Sequence, residues 1–360
     1  MTPSLRQRSL GCLLGGAVGD ALGAPVEFLR RSEILSRFGP QGIRRYAPAY
    51  GRLGAITDDT QMALFTAEGL LRSWVRGYLK GISSHVAMVG RSYLRWLSTQ
   101  GVEVSVDPDL CTGWLITQRE LHTRRAPGMT CVSALHNGTL GEPATNDSKG
   151  CGGVMRMAPA GLFVGSLGDA PERAFGLGVE LAALTHGHPT GQLAAGAFAV
   201  IIASLCTGGS MDEGLDAALG CLRDEPHGDE TVAALRQARD LASGRGPSAE
   251  ALQRLGDGWL AHEALAIAVY SALVAADFSD GIALAVNHDG DSDSTGAMTG
   301  NLLGAQLGIN AIPAYWLDAL ELRDTITQLG EDLAAFPSWD LDEDALSDVG
   351  AAVVRRYPGY

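Results

Sequence analysis

Hydrophobic residues recur every three or four positions along most of the chain, which is the spacing of one face of an α-helix. Alternation of apolar and polar residues, the pattern of a half-buried strand, is scarce, and VEVSVD at 102–107 is its best example. The pattern therefore predicts an all-α protein. The strongest helical segments are 60–77, 83–97, 172–184, 261–276 and 317–336.

The breaks between these segments are mostly short and polar. Residues 225–230 and 243–250 have the composition of surface turns between helices. A longer aperiodic segment, 38–56, is expected to be a loop, and loops of that length are often functional. Since no Pro- or Ser-rich linker, long charge run or fixed-period repeat divides the sequence, we predict one compact helical domain over residues 1–360.

Two apolar runs raise the question of a membrane. The run at 10–19 follows two arginines, as in a signal peptide, but Asp20 ends it and the same small-residue pattern continues, so we expect a first core helix. The run at 194–206 is shorter than the roughly 20 residues that cross a bilayer. We therefore predict that it is a buried helix.

Composition and charge narrow the choice of partners. The chain is 46% hydrophobic and 19% charged, as in ordinary globular proteins. Its net charge of −14 argues against nucleic acid or an anionic membrane as the main partner. The six cysteines are scattered without a CxxC pair, which makes a disulfide framework or a zinc site improbable and favours a cytoplasmic location.

Two acidic clusters lie more than 200 residues apart. In the first, Thr57 precedes Asp58 and Asp59 at the start of an apolar helix. Taken alone, this is typical of an N-cap followed by acids that favour the positive end of the helix dipole. The second cluster, NHDGDSDSTG at 287–296, contains three aspartates in five positions, and Asp293 or Ser294 is expected to cap the helix that follows.

Together the clusters indicate a metal site. Helix starts direct side chains and backbone N–H groups into clefts, and if these two converge they bring four carboxylates together. Two divalent cations would balance that charge, and ligands that are all oxygen suit Mg²⁺ or Mn²⁺ rather than zinc. Glycines at 296, 300 and 304 are expected to let the second helix pack closely on a neighbour. The four carboxylates are those of Asp58, Asp59, Asp291 and Asp293.

Other interpretations of the second cluster fit less well. An EF-hand loop that begins at Asp289 needs Gly at its sixth position and Glu at its twelfth, where this chain has Ser294 and Gly300. Residues 291–295 match the DxDxT pattern of a class of phosphatases. That motif requires a strand before it and an α/β domain after it, so a metal-dependent phosphatase is a remote alternative. Motifs of zinc proteases, serine hydrolases and nucleotide-binding folds are absent from the sequence.

Six segments, in this order, resemble motifs of the ADP-ribosylglycohydrolase family: 11–28, 56–64, 146–162, 184–191, 258–270 and 287–305. The resemblance implies an all-α fold, a compact orthogonal helical bundle with two Mg²⁺ or Mn²⁺ ions in a central cleft. It places the metal ligands at Thr57, Asp58, Asp59, Asp291, Asp293 and Ser294. The family commonly has Thr at the last position, and Ser294 keeps the hydroxyl. Asp289 falls outside this set and is expected to orient the other ligands.

The same resemblance assigns catalytic and substrate-binding residues. Glu27 corresponds to an acidic residue beside the ribose, and Glu27 and Asp59 are the candidates for the catalytic acid. A glycine-rich loop is implied to wrap the diphosphate and ribose, because glycine lets backbone N–H groups approach phosphate. With the expected ADP-ribose contact, the substrate-binding residues are Ser148, Gly150, Cys151, Gly152, Gly153 and His186. The family often has Glu where this chain has His262.

The implied reaction is hydrolysis of the C1″ glycosidic bond between ADP-ribose and a protein side chain. Arginine is the first choice of acceptor, and serine and others remain open. The partners are then an ADP-ribosylated protein as substrate and ADP-ribose as product, and this chain itself is expected to be a monomer. One alternative is an immunity-type hydrolase that reverses a toxin's modification. Another is a catalytically silent, crystallin-like ADP-ribose binder, against which the complete ligand set and Glu27 argue.

Overall fold

The computed structural model describes residues 2–104, 112–244, 246–342 and 347–359, and these form seventeen α-helices. Within these ranges no β-strand occurs, and two isolated bridges, Ala49–Arg52 and Gly150–Leu260, tie loops together. The all-α prediction is confirmed. The helices are α1 Leu5–Gly23, α2 Arg31–Phe38, α3 Asp58–Lys80, α4 His85–Thr99, α5 Met129–Asn137, α6 Ala158–Leu167, α7 Pro171–Ala183, α8 Pro189–Cys206, α9 Met211–Leu222, α10 Asp229–Ala242, α11 Ala249–Leu255, α12 Ala261–Val274, α13 Phe278–Val286, α14 Ser292–Leu307, α15 Ala314–Leu317, α16 Arg323–Ala335 and α17 Asp348–Arg356.

Four of the five segments with strong helical periodicity correspond to single helices, α3, α4, α7 and α12. The prediction of one helix over 317–336 was wrong. The chain leaves the helix after Leu317 and re-enters it at Arg323, and Leu322 adopts a left-handed backbone with φ of 55°. The buried Glu321 lies in this break, where its backbone N–H donates to the Gly54 carbonyl at 3.0 Å. A long-range contact therefore overrides the local periodicity.

The predicted loop at 38–56 is confirmed, whereas the described part of the strand candidate at 102–107 is not a strand. No helix or strand forms between Phe38 and Asp58, as expected for the aperiodic segment 38–56. Residues 102–104 of the strand candidate are not in a strand, and the rest of VEVSVD lies outside the described residues.

The apolar run near the start of the chain forms the middle of α1, which is buried from Arg8 to Gly23, so the expectation of a core helix is confirmed.

Helix α8 runs through the protein interior. It begins at Pro189, five residues before the apolar run at 194–206, so the helix is longer than expected from the sequence. Among the described residues it is the one helix that is long and apolar enough to cross a membrane by composition. However, 83% of this segment is buried inside the protein, where it packs against α6, α7 and α9. The prediction of a buried helix is confirmed.

Helices α1 and α14 make an unusually close antiparallel contact through glycines. A Cβ atom added to Gly15 would lie 2.4 Å from the Gly300 carbonyl oxygen, and one added to Gly300 would lie 2.0 Å from the Gly15 carbonyl oxygen. The same reciprocal overlap occurs one turn away in each direction, so no larger residue fits along this seam. The expected close packing of the glycines on α14 is confirmed, and α1 is the partner. The other glycine pairs are Gly19–Gly296 and Gly11–Gly304.

Replacement of Gly300 by Ala is expected to destabilise the protein by about 3 kcal/mol, because the methyl group cannot fit without separating α1 from α14. Urea unfolding followed by circular dichroism measures this. The matched control is Gly176→Ala on α7, where an added Cβ meets nothing within 4 Å. That change is expected to stabilise the protein by roughly 0.5–1 kcal/mol through helix propensity. Equal effects of the two substitutions would contradict the packing argument.

Candidate active site

The two acidic clusters form the first turns of α3 and α14. The Thr57 hydroxyl caps α3 by accepting from the Asp59 backbone N–H at 3.3 Å. Asp291 caps α14 by accepting from the Ser294 N–H at 3.2 Å, and the helix begins at Ser292. The expected cap at Asp293 or Ser294 was therefore wrong by two or three positions. Because α13 and not a strand precedes this motif, the phosphatase interpretation has no structural basis here.

The carboxylates of both clusters are nearly inaccessible to solvent. Asp58, Asp59 and Asp293 expose 5%, 3% and 2% of their surface. The Asp58 carboxylate accepts from the Gly128 N–H at 3.1 Å, whereas Oδ1 of Asp59 has no hydrogen-bond partner among the described residues. Charges this deeply buried need compensation, because the low dielectric strengthens their repulsion.

Helix α1 brings the two clusters together, since its Asp20 accepts from the Thr57 N–H at 3.0 Å and a Cβ atom added to its Gly23 would lie 2.5 Å from the Cα atom of Asp293. Burial, and next the charges of Asp293 and Asp58, raise the pKa of the Asp59 carboxyl well above its ordinary value. Burial and then the nearby aspartates raise the pKa of Glu27 to about 11. In the part of the chain that the structure describes, no Lys, Arg or His side chain forms an ion pair with any of these acids.

The oxygen-rich cluster fits divalent cations in its chemistry. Asp59 Oδ1 and Glu27 Oε2 are buried and unpaired, and the other donors are carboxylates and hydroxyls, which are the ligands that Mg²⁺ and Mn²⁺ prefer. The described residues do not form a closed cage, since no three His, Cys, Asp or Glu side chains converge as they do around a bound ion. The predicted two-metal centre therefore stays a prediction.

The remaining residues of the second cluster divide into two groups. The Asp291 carboxylate accepts from the Cys151 thiol at 2.7 Å, and the Ser294 hydroxyl lies 3.8 Å from the same sulfur. Both therefore face the glycine-rich loop. Asp289 points away and accepts from the Arg31 backbone N–H at 2.6 Å, at the start of α2. It anchors α2 to this loop, and the expectation that it orients the other ligands stays a prediction.

The glycine-rich loop is fixed on one side by the segment before α12. The Cys151 N–H donates to the Trp259 carbonyl at 3.0 Å, and Gly150 forms the isolated bridge with Leu260. The Ser148 hydroxyl accepts from the Gly150 N–H at 3.4 Å and contacts Thr130. The glycine-rich loop therefore lies directly beside Asp291.

His186 lies beneath this loop and exposes 1% of its surface. Its Nδ1 is 2.8 Å from the Thr185 hydroxyl, and a Cβ atom added to Gly153 would lie 3.2 Å from the ring. Burial, and next the charge of Arg156, lower the pKa of His186 to about 3, so the ring is neutral. The structure thus shows a neutral support for Gly152 and Gly153. The expected contact of His186 with ADP-ribose stays a prediction.

Comparison with known proteins places this arrangement in a family. A model of the ADP-ribosylglycohydrolase family matches residues 1–341. The chain belongs to this family. A curated relative from Rhodospirillum rubrum, named ADP-ribosyl-[dinitrogen reductase] glycohydrolase, is 29% identical over 89% of this chain and 92% of its own. A second, ADP-ribosylarginine hydrolase Tri1 of Serratia proteamaculans, is 26% identical over 91% of this chain and 78% of its own.

A solved structure described as an ADP-ribosylglycohydrolase-related protein complex has the same fold. It superposes with a TM-score of 0.66 at 27% identity and covers 92% of this chain and 98% of its own. The resemblance noted in the sequence is therefore confirmed, as is the prediction of an enzyme that hydrolyses glycosidic bonds.

Two residues beside the acid cluster of this ADP-ribosylglycohydrolase site were missed in the sequence. Asp20, fully buried in α1, accepts from the backbone N–H and hydroxyl of both Thr57 and Thr60. It therefore sets the position of the first turn of α3, which carries Asp58 and Asp59. Burial, and next the charge of Asp293, raise its pKa to about 7. The sequence does carry one sign of this role, because Asp20 is an acid in an apolar run with no basic residue within four positions.

Tyr50 was missed as well. It lies in the loop before α3 with a left-handed φ of 50°, and the Arg125 guanidinium sits 5.1 Å from its ring centre. Burial, and next the charge of Glu27, raise the pKa of its hydroxyl above its ordinary value. A non-glycine residue held in this conformation marks local strain, which often occurs beside active sites.

Replacement of Asp20 by Ala is expected to loosen the start of α3, because four buried donors lose their acceptor. Hydrogen exchange at the Thr57 and Thr60 amides should accelerate roughly tenfold to a hundredfold, which corresponds to about 1.4–2.8 kcal/mol. The matched control is Asp289→Ala, whose carboxylate holds one amide, that of Arg31. Its effect should be confined to the start of α2. Unchanged exchange at Thr57 and Thr60 in the Asp20 variant would contradict the anchoring role.

Proposed function

We propose that this protein is a divalent-metal-dependent hydrolase that cleaves the C1″ N-glycosidic bond between ADP-ribose and an arginine side chain of a protein. Family membership supports the glycohydrolase chemistry. The names of two relatives, each an ADP-ribosylarginine hydrolase, support arginine as the acceptor. The partners are the modified protein and the released ADP-ribose.

The observation that carries the metal dependence is the buried acid cluster without a basic partner. Four aspartates and Glu27 are each less than a tenth exposed, and burial and next the charge of Asp293 raise the pKa of both Glu27 and Asp59. Such a cluster is costly unless cations occupy it. Two divalent ions would supply the missing charge, and they would add Lewis-acid chemistry at the ribose and the attacking water. The residues that would hold them are Thr57, Asp58, Asp59, Asp291, Asp293 and Ser294.

The protein's own acids supply the proton transfers. As the C1″–N bond breaks and water oxygen bonds to C1″, the leaving guanidine nitrogen needs a proton. Glu27 is the candidate donor of that proton, because it is buried beside the aspartates, and burial and next the charge of Asp293 raise its pKa. Asp59 has an unpaired oxygen for the proton that water loses. Nearby carboxylates also stabilise positive charge at the ribose in the transition state.

The glycine-rich loop completes the binding of ADP-ribose. Gly150, Gly152 and Gly153 carry no side chain that would keep a phosphate from the backbone. The contact between the Cys151 thiol and Asp291 joins this loop to the acid cluster. We infer that the diphosphate lies on the loop and the distal ribose beside the acids. Cleavage of a toxin's modification stays a further possibility that a neighbouring ADP-ribosyltransferase gene would support.

The central experiment is incubation with a peptide that carries ADP-ribosyl-arginine, with Mg²⁺ or Mn²⁺ and with EDTA. Release of ADP-ribose, measured by chromatography, is expected with metal and not with EDTA. Asp58→Asn and Asp59→Asn are each expected to lower kcat/KM by at least about a hundredfold, as loss of a metal ligand does. A parallel assay with ADP-ribosyl-serine tests the choice of acceptor.

The matched control is Asp224→Asn, which changes an exposed acid between α9 and α10 and is expected to retain full activity. Hydrolysis that persists in EDTA would contradict the metal dependence. ADP-ribose binding without release from any linkage would instead identify a silent binder.

Metal also changes the pH dependence of stability. Folding raises the pKa of Asp20 to about 7 and that of Glu27 to about 11, so the folded protein binds more protons than the unfolded chain. Stability in EDTA should therefore fall as pH rises from about 4 to 7, by up to roughly 1.4 kcal/mol per proton per pH unit. Mn²⁺ should restore it at pH 7 more than at pH 5, because protons compete with the metal. Urea unfolding at each pH, with and without Mn²⁺, measures these changes in stability. Identical unfolding curves with and without Mn²⁺ would contradict the metal site.

A further inference from the structure

A cavity opens beside Glu27, and one of its walls is the segment before α12 that also holds the glycine-rich loop. It has a volume of about 410 Å³. Three loops contribute to its walls: the end of the α1 segment, the segment before α12 and the turn before α14. We name it the Glu27 cavity, and its lining residues are Glu27, Phe28, Leu29, Arg30, Asp257, Trp259, Asp289 and Gly290.

A stacked aromatic pair stands at the mouth of the Glu27 cavity. The ring centres of Phe28 and Trp259 are 5.8 Å apart, and their planes differ by 18°. Their stacking leaves Phe28 72% exposed and Trp259 40% exposed. Exposed aromatic faces at the rim of a cavity are typical of binding surfaces, and flat groups and cations stack on them.

The walls carry more negative than positive charge. Asp257 is exposed, and within the described part of the chain its carboxylate takes part in no hydrogen bond or ion pair. Asp289 uses one oxygen for the Arg31 N–H at 2.6 Å. The basic residue of the lining is Arg30, so the carboxylates of Asp257 and Asp289 leave the cavity with a net negative charge. A phosphate would be repelled here, and a cation would be attracted.

Glu27 connects this cavity to the acid cluster. It is 8% exposed, and its Oε2 has no hydrogen-bond partner among the described residues. The opposite wall is held rigidly, because the Asp257 carbonyl accepts from the Asp291 N–H at 2.9 Å. A Cβ atom added to Gly290, which has a φ of 107°, would lie 2.1 Å from that carbonyl oxygen. A group in the cavity therefore lies at a fixed position beside the candidate proton donor.

We propose that the Glu27 cavity binds the guanidinium group of the acceptor arginine. This inference rests on the proposed function and adds the acceptor side of the substrate to it. The planar cation stacks on the face of the Phe28–Trp259 pair, and its N–H groups donate to the carboxylates of Asp257 and Asp289. A neutral acceptor such as serine has no planar cation, so it gains neither the stacking on the aromatic pair nor the attraction to the carboxylates. The cavity is thus the determinant of arginine over serine.

Steady-state kinetics on the arginine-linked peptide test this assignment. Trp259→Leu and Asp257→Asn are each expected to lower kcat/KM roughly tenfold, because each removes one attraction for the cation and leaves every proposed metal ligand in place. The matched controls are Tyr78→Leu, at an aromatic residue that is 53% exposed on α3, and Asp224→Asn. Both are expected to keep the wild-type kcat/KM.

Binding measurements with small molecules distinguish the contacts made to the acceptor from the contacts made to ADP-ribose. Butylguanidinium is expected to inhibit the wild-type protein competitively, and its Ki should rise roughly tenfold in Trp259→Leu. Butylurea, a neutral molecule of the same shape, should inhibit neither protein. Calorimetric affinity for ADP-ribose should be the same in the wild type and in both variants, since the cavity contacts only the acceptor.

Three results would overturn the assignment: equal inhibition by butylguanidinium and butylurea, unchanged kcat/KM in both variants, or a loss of ADP-ribose affinity in Trp259→Leu. The last would place the nucleotide base on the aromatic pair. These results leave the proposed function intact. A wild-type protein that releases no ADP-ribose from the arginine-linked peptide would contradict the proposed function itself.

Discussion

The contact between α1 and α14 is the constraint on which the site depends. Gly15 and Gly300 meet backbone to backbone, and an added Cβ on either would lie within 2.4 Å of the other's carbonyl oxygen. Because the helices are antiparallel, the end of α1 meets the start of α14, and Gly23 lies against the Ser292 carbonyl. The chain beyond Gly23 leads directly to Glu27. Close packing of two backbones thus brings an acid from one end of the sequence to the acids at the other.

The same helix α1 also positions the first acidic cluster. Asp20 lies between the glycine seam and Glu27 and binds four donors at the start of α3. Both halves of the acid cluster are therefore aligned by one rigid element. This arrangement lowers the stability of the folded protein when Asp20 is ionised, since burial and next the charge of Asp293 raise the pKa of Asp20 to about 7. Sites that need such preorganised charge commonly reduce the stability of the fold that holds them.

Periodicity and composition predicted the parts of the fold that depend on local pattern. The apolar spacing predicted the helical class and the single helices α3, α4, α7 and α12, and two acid clusters at helix starts indicated one site. The features that the sequence did not reveal depend on contacts between residues far apart in the chain. The break at Leu322 follows from the contact of Glu321 with Gly54, which no local pattern reveals. The glycines of α14 predicted a close neighbour but not its identity. Asp20 has its partners nearly 40 residues away, so its isolation in an apolar run was the one local sign.

Negative charge lies at two depths in the candidate site, and each region suits a different kind of cation. The inner acids, Asp58, Asp59, Asp291 and Asp293, are buried and close together, so only small ions of high charge would neutralise them. At the cavity mouth, Asp257 is exposed and lies beside a flat aromatic pair, which suits a broad, weakly hydrated guanidinium. Glu27 lines the boundary between the two regions. The leaving nitrogen of an arginine-linked substrate belongs at that boundary, because the bond to be broken joins the sugar held inside to the cation held outside.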